Sequence, residues 1–309
     1  MQVGNRRALP TQLRATAQRR VDQLTWGSFA AFLAPTLLLV GTFIFYPLVS
    51  AAFLSFFSWD GISVDRTFVG LQNYRTLFFE DPVFWRALTN TGIWVALSLI
   101  IPTSVGLALA MALNTKIFGQ STFRAIFYIP AIIASIAVAT IWSWMYHPSL
   151  GIINSVFELF GSQNPPDWLG DRNIALYSVF IAHIWVAVGP NMILFLAGLQ
   201  TIPGDLIDAA KVDGANRVQV FKNVIIPSLR HISVVVIALT IIGSLKVFDL
   251  IYSMTFGGPG QATQVLASWS YFQAFNTRNF GMGMAVAVVL LFITLLIVVP
   301  YLLWSSKED

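Results

Sequence analysis

Residues Asp205 to Pro227 read DLIDAAKVDGANRVQVFKNVIIP, a polar stretch with helical character in a chain that is otherwise mostly apolar. Its first half, Asp205 to Asp213, is made of good helix formers and begins with a carboxylate, where the helix dipole favours negative charge. Gly214-Ala215-Asn216 then punctuates it, because glycine adopts the left-handed conformation of a tight turn at least cost. A second short helix is expected from about Arg217 to Val224, with Pro227 ending it or restarting the chain into the next apolar run. Two short helices joined at a glycine between two hydrophobic segments make either a docking surface or an amphipathic element lying on a membrane face. The pattern alone leaves both readings open.

The composition sets the class. Of 309 residues, 56% are hydrophobic, 14% aromatic and only 10% charged, whereas soluble domains carry roughly 25% charged residues. This is a multispanning membrane protein with no room for a large soluble domain. It has no cysteine, which excludes disulfides, thiolate metal sites and cysteine nucleophiles. The net charge of +4 does not indicate nucleic-acid binding, because the basic residues act as topological signals. Residues 1–28 include Arg6, Arg7, Arg14, Arg19 and Arg20 and are expected to form a partly disordered or interfacial cytoplasmic tail. They are not a signal peptide, because the apolar run that follows is too long for one.

Six spans are expected, at about 29–53, 88–113, 123–146, 174–199, 232–256 and 282–304, each near the roughly 20 residues needed to cross. Pro35 and Pro47 fall inside the first, where neighbouring helices can satisfy the freed carbonyls. In the second, Ser98, Pro102, Gly106 and Ala110 place small residues at every fourth position, a stripe along which two helices approach closely in lipid. Residues 58–85, 147–173 and 257–281 read as wet outer segments. Residues 200–230 form a cytoplasmic loop, and residues 305–309 a cytoplasmic tail.

Orientation follows from the positive charges. With the N-terminus inside, the cytoplasmic segments hold twelve Lys and Arg, among them Lys116, Arg124 and Lys307, against five outside: Arg66, Arg75, Arg86, Arg172 and Arg278. That asymmetry places both termini and the 200–230 loop in the cytoplasm.

Residue identities then add a resemblance. Asp208-Ala209-Ala210, Gly214 and Val224-x-Ile226-Pro227 resemble the EAA loop of ABC importer permeases, with Asp for Glu, Val for Ile and Ile for Leu. Phe68-Val69-Gly70-Leu71-Gln72-Asn73-Tyr74, Asp81-Pro82, Phe84-Trp85-Arg86-Ala87-Leu88 and Asn90-Thr91 resemble outer segments of the carbohydrate-uptake branch, which includes the maltose and glycerol-3-phosphate permeases. So do Phe248-Asp249 with Gly257-Gly258-Pro259 and Thr263. Ala197-Gly198-Leu199-Gln200 and Ile202-Pro203 lead into the loop as in that branch. The resemblance spans about residues 29 to 304.

It implies an all-α permease of six spans in the inner membrane, one half of a pore that does no bond chemistry itself. The implied partners are a second permease, usually an unlike chain, two ATPase subunits carrying ATP and Mg, and an extracytoplasmic binding protein. No cofactor is implied in this chain. The implied solute is a sugar, a short oligosaccharide or a sugar-like polyol, moved by alternating access. The sequence agrees independently on one point: it contains no Gly-x-x-x-x-Gly-Lys-Ser/Thr phosphate loop, so the chain cannot supply a P-loop ATP site itself and uphill transport would need a partner.

The resemblance assigns ATPase docking to Asp208, Ala209, Ala210, Val212, Gly214, Phe221 and Pro227; alternatively these residues only stabilise the loop. Lys246 and Asp249 stand three apart in the fifth span, on one helical face. They serve either as an ion pair or in the translocation path. His183, Asn191 and Ser244 are polar points within spans, suited to hydroxylated solutes or to bonds between helices. Trp142 and Trp144 read as interfacial tryptophans rather than sugar-stacking rings. The three histidines are scattered without a metal motif, and Asp60 with Asp65 reads as a solvated loop rather than a catalytic pair. The rival function is an ion-coupled carrier using Lys246, Asp249 and His183. Against it, the chain shows no Gly/Pro-broken spans at matching positions of two halves.

Overall fold

The computed structural model describes residues 26–305 except 116, 117 and 163. The Arg-rich tail up to residue 25, Lys116 and Lys307 therefore lie outside the described residues. The chain divides into two compact units, 1–53 and 54–309. In the first, α1 (Trp26–Val40), a π-helical turn (Gly41–Phe45) and α2 (Tyr46–Leu54) follow one another. Ala30–Leu54 is apolar enough and long enough to cross a membrane.

The second unit opens on a two-residue hairpin, β1 (Phe57–Ser58) with β2 (Thr67–Phe68), antiparallel in the register Phe57↔Phe68. Then come α3 (Gln72–Phe79), α4 (Pro82–Ala112), α5 (Gln120–Ile132), α6 (Ser135–Met145), α7 (Ile152–Leu159) and α8 (Ala175–Gln200). After them lie α9 (Gly204–Val212), α10 (Arg217–Val220), a π-helical turn (Phe221–Ile225) and α11 (Ile226–Ser228). The remaining elements are α12 (Arg230–Leu245), α13 (Asp249–Thr255), α14 (Leu266–Tyr271), a third π-helical turn (Phe272–Asn276) and α15 (Phe280–Ser305).

Helices α4, α8 and α15 are long and apolar enough to cross a membrane. The segments expected as the third and fifth spans are interrupted. Helices α5 and α6 meet at a bend of 99°, where Ile133 and Ala134 are extended three residues beyond Pro130, which supplies no amide to the helix. Helix α12 stops at Leu245 and α13 starts at Asp249. By length and composition, the described residues contain four spanning helices, or up to six if two bent pairs each count as one: α5 with α6, and the helical stretch Arg217–Ser228 with α12, which meet at 71°.

Helix α4 starts earlier than the apolar run suggests. Asp81 is its N-cap and accepts from the amides of Val83 and Phe84, with Pro82 at the first helical position. The wet segments also fold. Buried Asn73 donates to the carbonyls of Ser55 and Phe57 at 2.8 and 2.9 Å, tying α3 to the start of the hairpin.

Packing centres on α4 against α8. Ser98, Pro102, Gly106 and Ala110 are all buried, as the small-residue stripe requires. A Cβ on Gly106 would stand 2.7 Å from Asn191 Cβ and 3.0 Å from the Met192 backbone nitrogen, so only glycine allows the two helices this close. Close approach matters here because lipid is as apolar as the side chains, and van der Waals contact carries the association. One core gathers Trp94, Val179, Phe180 and Ile251. A second, towards the polar loop, gathers Ala110, Met192, Leu199 and Leu229. A third joins Leu77, Phe84, Leu266 and Met282.

Candidate functional site

Two features stand out: the loop that joins α8 to α12, and a cavity between those same two helices.

The loop holds its shape by local hydrogen bonds. Gly214 has φ +85. The Ala215 amide donates to the Ala210 carbonyl and the Gly214 amide to the Lys211 carbonyl, each at 3.0 Å. This is the Schellman arrangement that closes a helix on a left-handed glycine. Asn216 then begins α10: its Oδ1 accepts from the Gln219 amide at 2.9 Å, while Gln219 Oε1 accepts from the Asn216 amide at 2.7 Å. This reciprocal capping box is legible in the sequence as Asn-x-x-Gln at 216 and 219, a signal that the reading of the loop as two helices and a glycine passed over. Asp208 Oδ1 pairs with Lys211 Nζ at 2.9 Å, both side chains well exposed; such a pair contributes about 0–1 kcal/mol.

What the loop buries and what it presents differ. Val220 and Leu229 are buried, and Phe221 is half-buried. Val212 is 88% exposed and Val218 72%. Asp208, Ala209, Gly214 and Pro227 are exposed, and Ala210 is partly so. Pro227 does not end the second helix; it lies within α11, and the chain turns by 71° at Leu229, between α11 and α12.

The cavity encloses about 280 Å³. His183, Asn191 and Ser244, three separate polar points in the sequence, all line it. Thr240, one turn before Ser244 on α12, completes the polar set; the sequence alone did not single it out. Pro102 and Pro190 also line it. Pro190 has no amide to offer the Val186 carbonyl, and Val186 lines the same wall. The Ser98 carbonyl, left free by Pro102 in the same way, accepts the Thr103 hydroxyl at 3.1 Å. His183 is fixed from behind, its ring 5.1 Å from Trp94 and 5.6 Å from Phe180, with Nε2 3.4 Å from Ser98 Oγ.

Lys246 and Asp249 are not in the cavity lining, and they do not share one helical face. Lys246 caps the C-terminal end of α12, and Asp249 sits in the first turn of α13. Each charge therefore complements a helix dipole, the cation at a C-terminus and the anion at an N-terminus. Among the described residues the ion pair within 4.0 Å is Lys211–Asp208, not this one. Trp142 packs against Tyr146 and Trp185, while Trp144 is exposed. Among the described residues, no group of three His, Asp or Glu could hold a metal ion.

Asp60 belongs to neither feature. Its Oδ1 accepts from the amides of Ser63 and Ile62 and from the Ser63 hydroxyl. Those bonds, the Ser63 amide first, lower its carboxyl to a pKa of about 2. It caps a hairpin turn.

Comparison with known proteins agrees with this architecture. Residues 101–303 match the family model described as binding-protein-dependent transport system inner membrane component. A probable ABC transporter permease protein of Pyrococcus horikoshii is 38% identical over 279 residues, covering 90% of this chain and 95% of that protein. The trehalose/maltose transport system permease MalF of Thermococcus litoralis is 34% identical, covering 87% and 90%. Among solved structures, a chain of a bacterial ABC transporter involved in the import of the acidic polysaccharide alginate superposes with a TM-score of 0.79 at 22% identity, over 95% of this chain and 99% of that one. At that identity the likeness speaks for the fold. The chain belongs to the binding-protein-dependent transport system inner membrane components, the permease subunits of ABC importers.

Proposed function

We propose that this permease forms one half of the pore of an importer for a sugar, a short oligosaccharide or a sugar-like polyol. The permease named for trehalose and maltose is its relative, and the polar cavity suits a hydroxylated solute. A separate binding protein delivers the solute from outside. A second permease, an unlike chain, completes the pore, and two ATPase subunits bind ATP and Mg. The chain crosses the membrane six times, at about 29–53, 88–113, 123–146, 174–199, 232–256 and 282–304, with tails 1–28 and 305–309 and the 200–230 loop in the cytoplasm. The third and fifth crossings are made by broken helices.

Docking falls to α9 and α10. The observation that carries this reading is a loop fixed by its own caps yet presenting Val212 and Val218 almost bare. Rigid exposed apolar side chains on a polar loop suit a groove in a partner. Asp208, Ala209, Ala210, Val212 and Gly214 form the contact, and Phe221 and Pro227 transmit movement to α12. Since α12 forms one wall of the cavity, closure of the ATPase pair tilts that wall and opens His183, Asn191 and Ser244 to alternate sides. The experiment is solute uptake into proteoliposomes holding the assembled importer. Uptake is expected to need ATP inside and the binding protein outside, and to be indifferent to a proton gradient.

A further inference from the structure

Away from the loop and the cavity, two arginines converge on one atom. Arg86 lies near the start of α4 and Arg172 just ahead of α8. They donate to the Gly260 carbonyl oxygen at 3.3 and 3.0 Å. The loop that carries Gly260 is itself fixed. The Asn90 amide group donates to the Ala262 and Gln264 carbonyls at 2.8 Å each, and the Thr263 hydroxyl to the Gly258 carbonyl at 2.8 Å. Gly260 has φ +54, a backbone conformation that favours glycine, and Arg172 Nη2 lies 2.7 Å from where a Cβ would stand. The carbonyl that both guanidiniums share is thus positioned by framework.

Among the described residues the two guanidiniums lack a counter-charge: neither is within 4.0 Å of a carboxylate, and the acidic neighbour Asp171 is engaged with the Asn173 amide at 2.8 Å. Two cations held to one neutral oxygen repel each other, and an anion between them relieves that. Each guanidinium has five donors in a planar fork, of which one is used here, and such forks match carboxylate, sulfate and phosphate geometry. Both border a second cavity, of about 470 Å³, with Asn90, Asn173 and Tyr177 in its wall. That space exceeds what a lone carboxylate needs, and the additional polar groups suit ring hydroxyls.

We propose that this cavity binds a small acidic sugar, its carboxylate, sulfate or phosphate held between Arg86 and Arg172 and its hydroxyls meeting Asn173 and Tyr177. It rests on the topology proposed above for its place at the extracytoplasmic mouth of the pore, and it narrows the solute class to anions. Attraction of this kind is screened by salt.

The binding test uses the assembled importer in detergent, where orientation plays no part. Sulfate, glucuronate and, as the neutral control, glucose are titrated by calorimetry. Glucuronate is expected to bind at least ten-fold tighter than glucose, to be displaced by sulfate, and to weaken ten-fold or more in R86Q and R172Q. Asn173→Asp puts a carboxylate on the exposed rim. It is expected to abolish glucuronate binding while the ligand-free importer melts no lower than the parent, which separates lost binding from lost folding. Equal affinity for glucuronate and glucose, or parental affinity in R86Q, R172Q and N173D, would overturn the proposal. So would glucuronate binding that appears only once the binding protein is added, since the anion is then recognised elsewhere. Because the chain has no cysteine, Tyr177→Cys reports the side separately: labelling from outside is expected, and labelling only from the cytoplasm overturns the topology while leaving the binding data intact.

Discussion

The indole N–H of Trp269 donates to Asp81 Oδ2 at 2.8 Å, across 188 positions of chain, while Oδ1 of the same carboxylate caps α4 through Val83 and Phe84. One side chain thus starts a spanning helix and ties it to α14. Asp81→Ala removes three charge-assisted hydrogen bonds and is expected to cost about 2 kcal/mol. Trp269→Phe, which keeps the cap, should cost less. Denaturant melts of the purified subunit in detergent check both the size and the order.

Gly106 sets the spacing of α4 and α8. Gly106→Leu drives a side chain into Asn191 and the Met192 backbone and is expected to destabilise by about 1–3 kcal/mol. Gly106→Ala should fall between it and the parent, measured by thermal unfolding.

That contact shows what the sequence could reveal. The stripe at Ser98, Pro102, Gly106 and Ala110 is a local pattern, and its burial follows from spacing alone. The polar loop was equally legible, because a glycine stop and a polar helical run are written in consecutive residues. The break between Lys246 and Asp249 was not. The apolar run resumes directly beyond it, and a Lys-x-x-Asp spacing fits one helix as well as two helix ends. The convergence of His183, Asn191 and Ser244 on one cavity depends on how α8 packs against α12, and no local pattern carries that. Thr240 was missed for the same reason.

If that cavity carries solute, its polar lining matters more than its volume. Asn191→Leu keeps approximate size and removes the amide. Transport is expected to fall ten-fold or more, about 1.4 kcal/mol, while the ATPase still copurifies. Uptake and copurification are measured on the same preparation, and unchanged uptake would remove Asn191 from the path.

Asp60 gives a pH dependence with a defined sign. Its carboxyl is lowered from 3.8 to about 2 in the folded hairpin. The turn is therefore supported fully above about pH 3.8, and the support is lost as pH falls through about 2. Trp59 Nε1 donates to the Ser63 carbonyl in that turn at 2.8 Å, so the fluorescence of Trp59, read as the difference from a Trp59→Phe control, reports it. The signal is expected to hold from pH 7 to 4 and change below. In Asp60→Asn the altered signal should appear already at pH 7.

The central claim is that the capped loop at Gly214 docks the ATPase. Gly214 has φ +85, and a Cβ added to it would meet nothing within 4 Å, so a substitution there strains the backbone without a clash. Asparagine tolerates that conformation and valine does not. The measurement is the amount of ATPase that copurifies with Gly214→Val and Gly214→Asn, beside ATP-driven uptake. The account predicts that valine loses both and asparagine retains most of each, with the subunit folded in either case. ATPase retained at parental level with Gly214→Val, or uptake that continues after the ATPase is lost, would contradict it.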